Sequence, residues 1–173
     1  MLALILGGAA SGKSEYAEDL VLSQTGVPVY LATMEPFGQE GEARVRKHRA
    51  ARRGRGFLTV ERYADLAGLT LPPDACILLE DLGNLVANEL FRPDGGGEPA
   101  VLEGLDRLLA SCRHVTVVTN EVFSGGRTYA GDTLRYLEVL ARTNRYLAAR
   151  ADLVAELVCG LPDLWKGEVL CHS

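Results

Sequence analysis

Residues 2–20 read LALILGGAASGKSEYAEDL, and the class of the protein turns on this stretch. Leu2 to Leu6 is an uninterrupted apolar run, as expected of a strand buried on both faces. Gly7 through Ser14 satisfy G-x-x-x-x-G-K-S, the pattern of a phosphate-binding loop joining a strand to a helix. Each position has a physical reason. Gly7 permits the turn, and Gly8 and Gly12 let the backbone approach a phosphate closely. Ala9, Ala10 and Ser11 complete the loop. Successive amides face inward, and the positive end of the following helix points at the same anion. Lys13 reaches the terminal phosphoryl oxygens, and Ser14 can place its hydroxyl on a magnesium ion that also touches the nucleotide. A glycine turn with an exposed lysine would carry the same letters. The strand before it and the helix after it favour the phosphate site.

Working outward, strand and helix patterns alternate. SEYAEDLVLSQTG predicts a helix with Tyr16, Leu20 and Val21 near one face, stopped by Gly26. PVYLAT is a second strand ending at Thr33, followed by the loop MEPFGQEG and the helical stretch EARVRKHRAARR. GFLTVE is a short strand, and RYADLAGL holds a small helix. LPPDACILLEDL gives a turn and a strongly apolar strand. GNLVANELF reads as helix, and RPDGGGEP as a flexible insert. AVLEGLDRLLASC is an amphipathic helix and HVTVVTNEV a β-branched strand. After the loop FSGGRTYAGD comes the helix TLRYLEVLARTNRYLAARA. DLVAELVCGLP closes with a strand, leaving a tail that contains Trp165. This order predicts an α/β fold, a mostly parallel sheet flanked by helices.

The chain has 173 residues, is 47% hydrophobic and carries a formal charge of -5, which suits one domain with a full core. The acidic balance argues against a general nucleic-acid or membrane-surface protein. No segment offers about 18 uninterrupted apolar residues, so no integral membrane segment is expected. The amino terminus lacks the basic region of a signal peptide, and the four cysteines form no CxxC pair, pointing to a reducing cytoplasm.

A phosphate loop needs an acidic partner for its metal. Glu80 and Asp81 end the ILLED strand; Glu80 is the first choice because it ends the apolar run directly, with a helix cap as the plainer use of the pair. Glu121 ends VTNEV at the same sheet edge, facing substrate, metal or only the fold. Residues 44–55 carry seven cations (Arg44, Arg46, Lys47, Arg49, Arg52, Arg53 and Arg55) around His48. A helix would align Arg44, His48 and Arg52, and nearby cations keep the imidazole neutral and nucleophilic. A solvated helix face or an RNA contact would use the same residues. His114 and His172 look incidental.

The set LGGAASGKS, VYLAT, E-x-x-x-R-V-x-x-H-R (Glu40 to Arg49), ILLED and VTNEV resembles the bifunctional adenosylcobinamide kinase / adenosylcobinamide-phosphate guanylyltransferase family. Agreement runs from the first strand through Val122 and resumes at Asn144 and ADLVAELVCGLP. The resemblance implies a single P-loop NTPase domain over residues 1–173, recombinase-like in fold, assembling as a homotrimer. It implies two reactions. A nucleoside triphosphate, ATP or GTP, phosphorylates adenosylcobinamide; then GTP guanylylates a histidine, which passes GMP to adenosylcobinamide phosphate. On this chain the resemblance makes Gly7 to Ser14 the phosphate loop, His48 the guanylylated histidine with Lys13 assisting, and Ser14 and Glu80 the magnesium-associated pair. Thr33, Arg49, Glu61 and Glu121 complete the nucleotide site, with Thr119 and Asn120 beside it. The chain departs from the family at Phe123–Gly131, where a glycine-rich GIVP segment is usual, at Tyr136–Leu137–Glu138, at Arg145 after Asn144, and at Phe57. The competing readings are guanylyl transfer alone, a simple small-molecule kinase, and a nucleotide-gated RNA- or protein-interaction module.

Overall fold

The computed structural model describes residues 1–36 and 54–168. Its strands are β1 (Leu2–Gly7), β2 (Val27–Ala32), β3 (Leu58–Glu61), β4 (Ala75–Glu80), β5 (His114–Asn120), β6 (Leu153–Val158) and β7 (Leu161–Lys166). The helices are α1 (Lys13–Leu22), α2 (Leu82–Phe91), α3 (Gly97–Ser111) and α4 (Gly131–Arg150), with a 3-10 turn at Leu66–Gly68. The strands form one sheet in the order β3-β2-β4-β5-β1-β6-β7, parallel except for β7. Among the described residues no helix is long and apolar enough to cross a membrane.

Alternation along the strands builds two cores. Leu2 and Leu4 of β1 face the side covered by α2, α3 and α4, where they join Ile77, Leu79, Val117, Leu85, Leu105 and Leu140. Ala3 and Ile5 face the other side, against Ala17 and Val21 of α1, with Leu78 and Val118. Both faces are covered, so the central strands are mostly aliphatic rather than alternating with exposed polar residues, with Thr116 and Thr119 of β5 the buried exceptions.

Strand order sets the site. β5 stands between β1, which carries the phosphate loop, and β4, which carries Glu80. The C-terminal tips of β1, β4 and β5 therefore lie at one edge. Glu61 ends β3, four strand spacings from β1 and about 19 Å away at the usual inter-strand distance.

Three features differ from the sequence expectation. Helix α1 closes at Leu22, with the Ser23 amide donating to the Asp19 carbonyl, before Gly26 is reached. The glycine run is not a flexible insert. Gly97 is the first residue of α3, the Gly95 amide bonds the Arg92 carbonyl, and the Gly96 amide bonds the buried Glu89 carboxylate at 2.8 Å. Glu89 also accepts from the Asp65 amide at 2.7 Å, so one carboxylate ties the turn to the segment after β3. Finally, the tail is not an irregular segment but strand β7, antiparallel to β6, with Trp165 exposed on it.

Candidate active site

The phosphate loop owes its shape to close backbone contacts. A side chain on Gly7 would meet Ser11 Oγ at 2.5 Å and the Leu157 carbonyl at 2.8 Å. Gly12 has φ of 89° at the N-cap of α1, a conformation that disfavours side chains. A Cβ added there would also meet Gly160 Cα at 3.1 Å, and the Gly160 amide donates to the Ser11 carbonyl at 2.9 Å. The β6–β7 turn thus buttresses the loop from behind. Among the described residues no side chain caps α1, which leaves its first amides for a ligand. Lys13 is buried, and its ammonium donates to the Gly8 carbonyl at 3.0 Å, holding it across the loop.

Ser14 Oγ donates to Glu80 Oε1 at 2.7 Å, which brings the two residues together at the foot of the loop. Burial pushes the Glu80 carboxyl up to about 7; the Ser14 bond opposes this, Asp81 adds to it, and Lys13 opposes it. Glu80 Oε2 is buried without a hydrogen-bond partner among the described residues. A divalent cation fits this arrangement: a hydroxyl and a carboxylate with a spare oxygen, beside a phosphate cradle.

Asp81 has a different task. Its carboxylate caps α2 by accepting from the Asn84 amide at 2.7 Å, and accepts from Asn120 Nδ2 at 2.9 Å. Burial is the main cause of its raised carboxyl pKa, against the pull of the Asn84 and Asn120 bonds. Nearby, burial and then the Asp81 charge push the Tyr136 hydroxyl up to about 12.

Thr33 is fully buried. Its hydroxyl donates to the Asp81 carbonyl at 2.7 Å, and its amide donates to the Glu80 carbonyl at 3.1 Å. Asn88 then bonds the carbonyls of Thr33 and Tyr63 at 2.8 and 2.9 Å. The threonine holds the acidic pair in place rather than offering a free hydroxyl. Glu121 lies next to the loop: its amide donates to the Gly7 carbonyl at 3.0 Å, and its Oε1 accepts from the amides of Phe123 and Ser124. Glu61 is exposed on the edge strand and accepts from the Tyr63 hydroxyl, apart from the other acids.

His48 and Arg49, with the other cations of residues 44–53, lie outside the described residues. Both flanks of that segment are fastened. Before it, Glu35 pairs with Arg92. After it, Arg55 pairs with Asp19 and, at 2.7 Å, with the largely buried Glu18 of α1.

Sequence reasoning missed the β6–β7 buttress and the Asn88 clasp. Cys159-Gly160 after an apolar strand is a turn signal that could have exposed the first. Nothing in the local pattern of α2 announces the second.

A glycine-rich loop between a buried parallel strand and a helix, with a serine–glutamate pair at its foot, defines a P-loop nucleoside-triphosphate-binding protein. Within that class, the chain belongs to the cobinamide kinase / cobinamide phosphate guanyltransferase family, whose family model matches residues 3–164. It is 33% identical to the bifunctional adenosylcobalamin biosynthesis protein CobU of Escherichia coli, over 93% of this chain and 97% of that protein. The protein of the same name from Salmonella typhimurium is also 33% identical, with the same coverage. The bifunctional adenosylcobalamin biosynthesis protein CobP of Pseudomonas aeruginosa is 35% identical, over 96% and 98% of the two chains.

Proposed function

We propose that this chain performs both transfers in assembling the nucleotide loop of adenosylcobalamin. In the first, the γ-phosphoryl group of a nucleoside triphosphate passes to the hydroxyl of adenosylcobinamide. The amides of Gly7 to Lys13 hold the phosphates in line, and Lys13 takes up the charge that develops on them. Magnesium, held by Ser14 and Glu80, would draw charge from the bridging oxygens. Asp81, Asn120 and Thr33 keep Glu80 at the correct strand tip.

In the second transfer, a neutral His48 nitrogen attacks the α-phosphorus of GTP. A phosphorus–nitrogen bond forms, and the phosphorus–oxygen bond to pyrophosphate breaks. An oxygen of adenosylcobinamide phosphate then attacks the same phosphorus, and the imidazole leaves with its electron pair. Two inversions give net retention at the α-phosphorus. Arg44, Arg49 and the neighbouring cations would neutralise the departing pyrophosphate, with Glu61 and Glu121 at the edges of the nucleotide site. We place a single-domain enzyme in the cytoplasm beside its nucleotide supply, working as a homotrimer and without a nucleic-acid partner.

The observation that carries this reading is the contact between Ser14 and Glu80 at the foot of a phosphate loop, in a chain of this family. The test is incubation with magnesium and α-labelled GTP, followed by peptide mapping. Acid-labile label on His48, absent from His48→Ala, is the expected result. Normal formation of adenosylcobinamide-GDP by His48→Ala would overturn the covalent route.

A further inference from the structure

A cavity of about 360 Å³ lies between α4 and the sheet, on the face opposite α1. Leu4, Leu6 and Val154 line it from the strands, and Ala141 and Ala148 from the helix. Five polar or charged side chains interrupt this apolar lining: Thr119, Asn120, Glu121, Asn144 and the exposed Arg145. Thr119 Oγ1 and Asn144 Oδ1 are both buried, and neither has a hydrogen-bond partner among the described residues. Such orphans are rare because burial without a partner forfeits the bonds that water supplied. The fold alone does not call for them. Thr119 shares its strand face with Val115 and Val117, and Asn144 lies on α4 between the buried Leu140 and Leu147. Aliphatic residues would continue both rows.

The cavity also shares a wall with the phosphate loop. Asn120 and Glu121 line it, and the Glu121 amide is bonded to Gly7. The cavity therefore adjoins the strand tip from which the phosphate loop starts.

We propose that this cavity receives a short aliphatic arm ending in a primary carboxamide, one of the amide arms on the rim of a corrinoid acceptor. The proposal rests on the function given above and names a specificity pocket for it. The methylene stem packs on the leucine, valine and alanine surfaces. The terminal NH2 donates to Asn144 Oδ1, and the amide carbonyl accepts the Thr119 hydroxyl hydrogen, so both orphans gain partners. The volume falls at the small end of the range for small-molecule pockets, which suits an arm and leaves the macrocycle outside. A carboxylate arm would set its lone pairs against Asn144 Oδ1 and is disfavoured there, although the exposed Arg145 in the lining attracts it, so propionate is the decisive control.

The test uses the full chain and two probes, propionamide and propionate, titrated while the Thr119 amide and the Asn144 side-chain amide are followed by NMR. Saturable shifts with propionamide alone are expected, abolished in the near-isosteric Thr119→Val and in Asn144→Leu. Absence of saturation, equal shifts with propionate, or unchanged shifts in both variants would overturn the pocket. In turnover, Asn144→Leu should raise the KM for adenosylcobinamide phosphate by about tenfold, with kcat changed by less than about twofold. The same variant should lose the preference for the amide over a mono-acid analogue of the acceptor. A rise in the KM for GTP instead would assign the cavity to the base and overturn the proposal. Propionamide binding by a protein that turns over no corrinoid would overturn the function and leave the pocket standing.

Discussion

Glu80→Gln removes one ionisable carboxyl from the foot of the phosphate loop while leaving an amide oxygen to accept the Ser14 hydroxyl. Burial holds the Glu80 carboxyl near 7, against an ordinary 4.5. An acid with a raised folded-state pKa binds more protons in the native state than in the unfolded chain between those two values. Stability therefore falls as pH rises through that window, and the loss is complete above the folded value. The displacement corresponds to about 3 kcal/mol of native-state destabilisation at alkaline pH relative to acid pH. Asp81 pulls in the same direction in both proteins, so the difference between wild type and variant reports Glu80 together with its coupling to Asp81.

Urea denaturation in chelator, without nucleotide, measures that difference. Between about pH 5 and pH 8 the wild type should lose about 2.5 kcal/mol more than Glu80→Gln, a relative midpoint shift on the order of 1–2 M urea. Only the carboxylate binds a cation well, so magnesium-nucleotide affinity of the wild type should rise with pH and level off above about 7, while that of the variant stays flat. Parallel stability curves for the two proteins would refute the reasoning, because the buried carboxyl would then not be the group that titrates.

Three further outcomes are expected. Lys13→Ala should lower kcat by about a hundredfold or more in both transfers, measured in separate assays, since each step loses the same charge-stabilising donor. Gly12→Ala forces a side chain into φ of 89° and toward Gly160, and should destabilise the protein by roughly 1–3 kcal/mol in urea while weakening nucleotide binding. Asp81→Ala removes the α2 cap and the acceptor for Asn120, and should cost about 1–2 kcal/mol by thermal unfolding, with partial recovery in Asp81→Asn.

The phosphate loop is legible in sequence because its function is carried by backbone, and only a few small residues tolerate that backbone. The aliphatic strands are legible because both faces of the sheet are covered. The choice between Glu80 and Asp81 is half legible. Strand alternation separates the two side chains, but only the fold shows Ser14 meeting one and the α2 amide meeting the other. Strand β7 escapes sequence reading because all six of its residues are exposed, so it has no burial pattern to detect. The glycine run misleads for a related reason. Its order comes from the Glu89 carboxylate, and no local pattern reports a bond between residues 89 and 96.

The distribution of unsatisfied groups ties the site to its energetics. Through most of the sheet, buried side chains are aliphatic, and such a core has no polar group left to satisfy. At the edge where β1, β4 and β5 end, Ser11 Oγ, Glu80 Oε2 and Thr119 Oγ1 are buried without partners among the described residues, and Asn144 Oδ1 joins them across α4, while His114 Nδ1 is a further such group at the other end of β5. Each lowers stability in the absence of a ligand, and an all-apolar or fully paired edge would fold more tightly. The well-packed sheet supports these positions through parallel ladders on both sides of β1 and the clasps from Thr33, Asn88 and Gly160. A ligand that satisfies them binds to groups already held in place, so little of its binding energy is lost to ordering the protein. The same rigidity predicts that relaxing one clasp, as in Asn88→Ala, should weaken magnesium-nucleotide binding although Asn88 touches neither the phosphate loop nor Glu80. Calorimetric titration at a pH above the Glu80 transition measures this directly. Unchanged affinity would show that the acidic pair holds its position without the clasp.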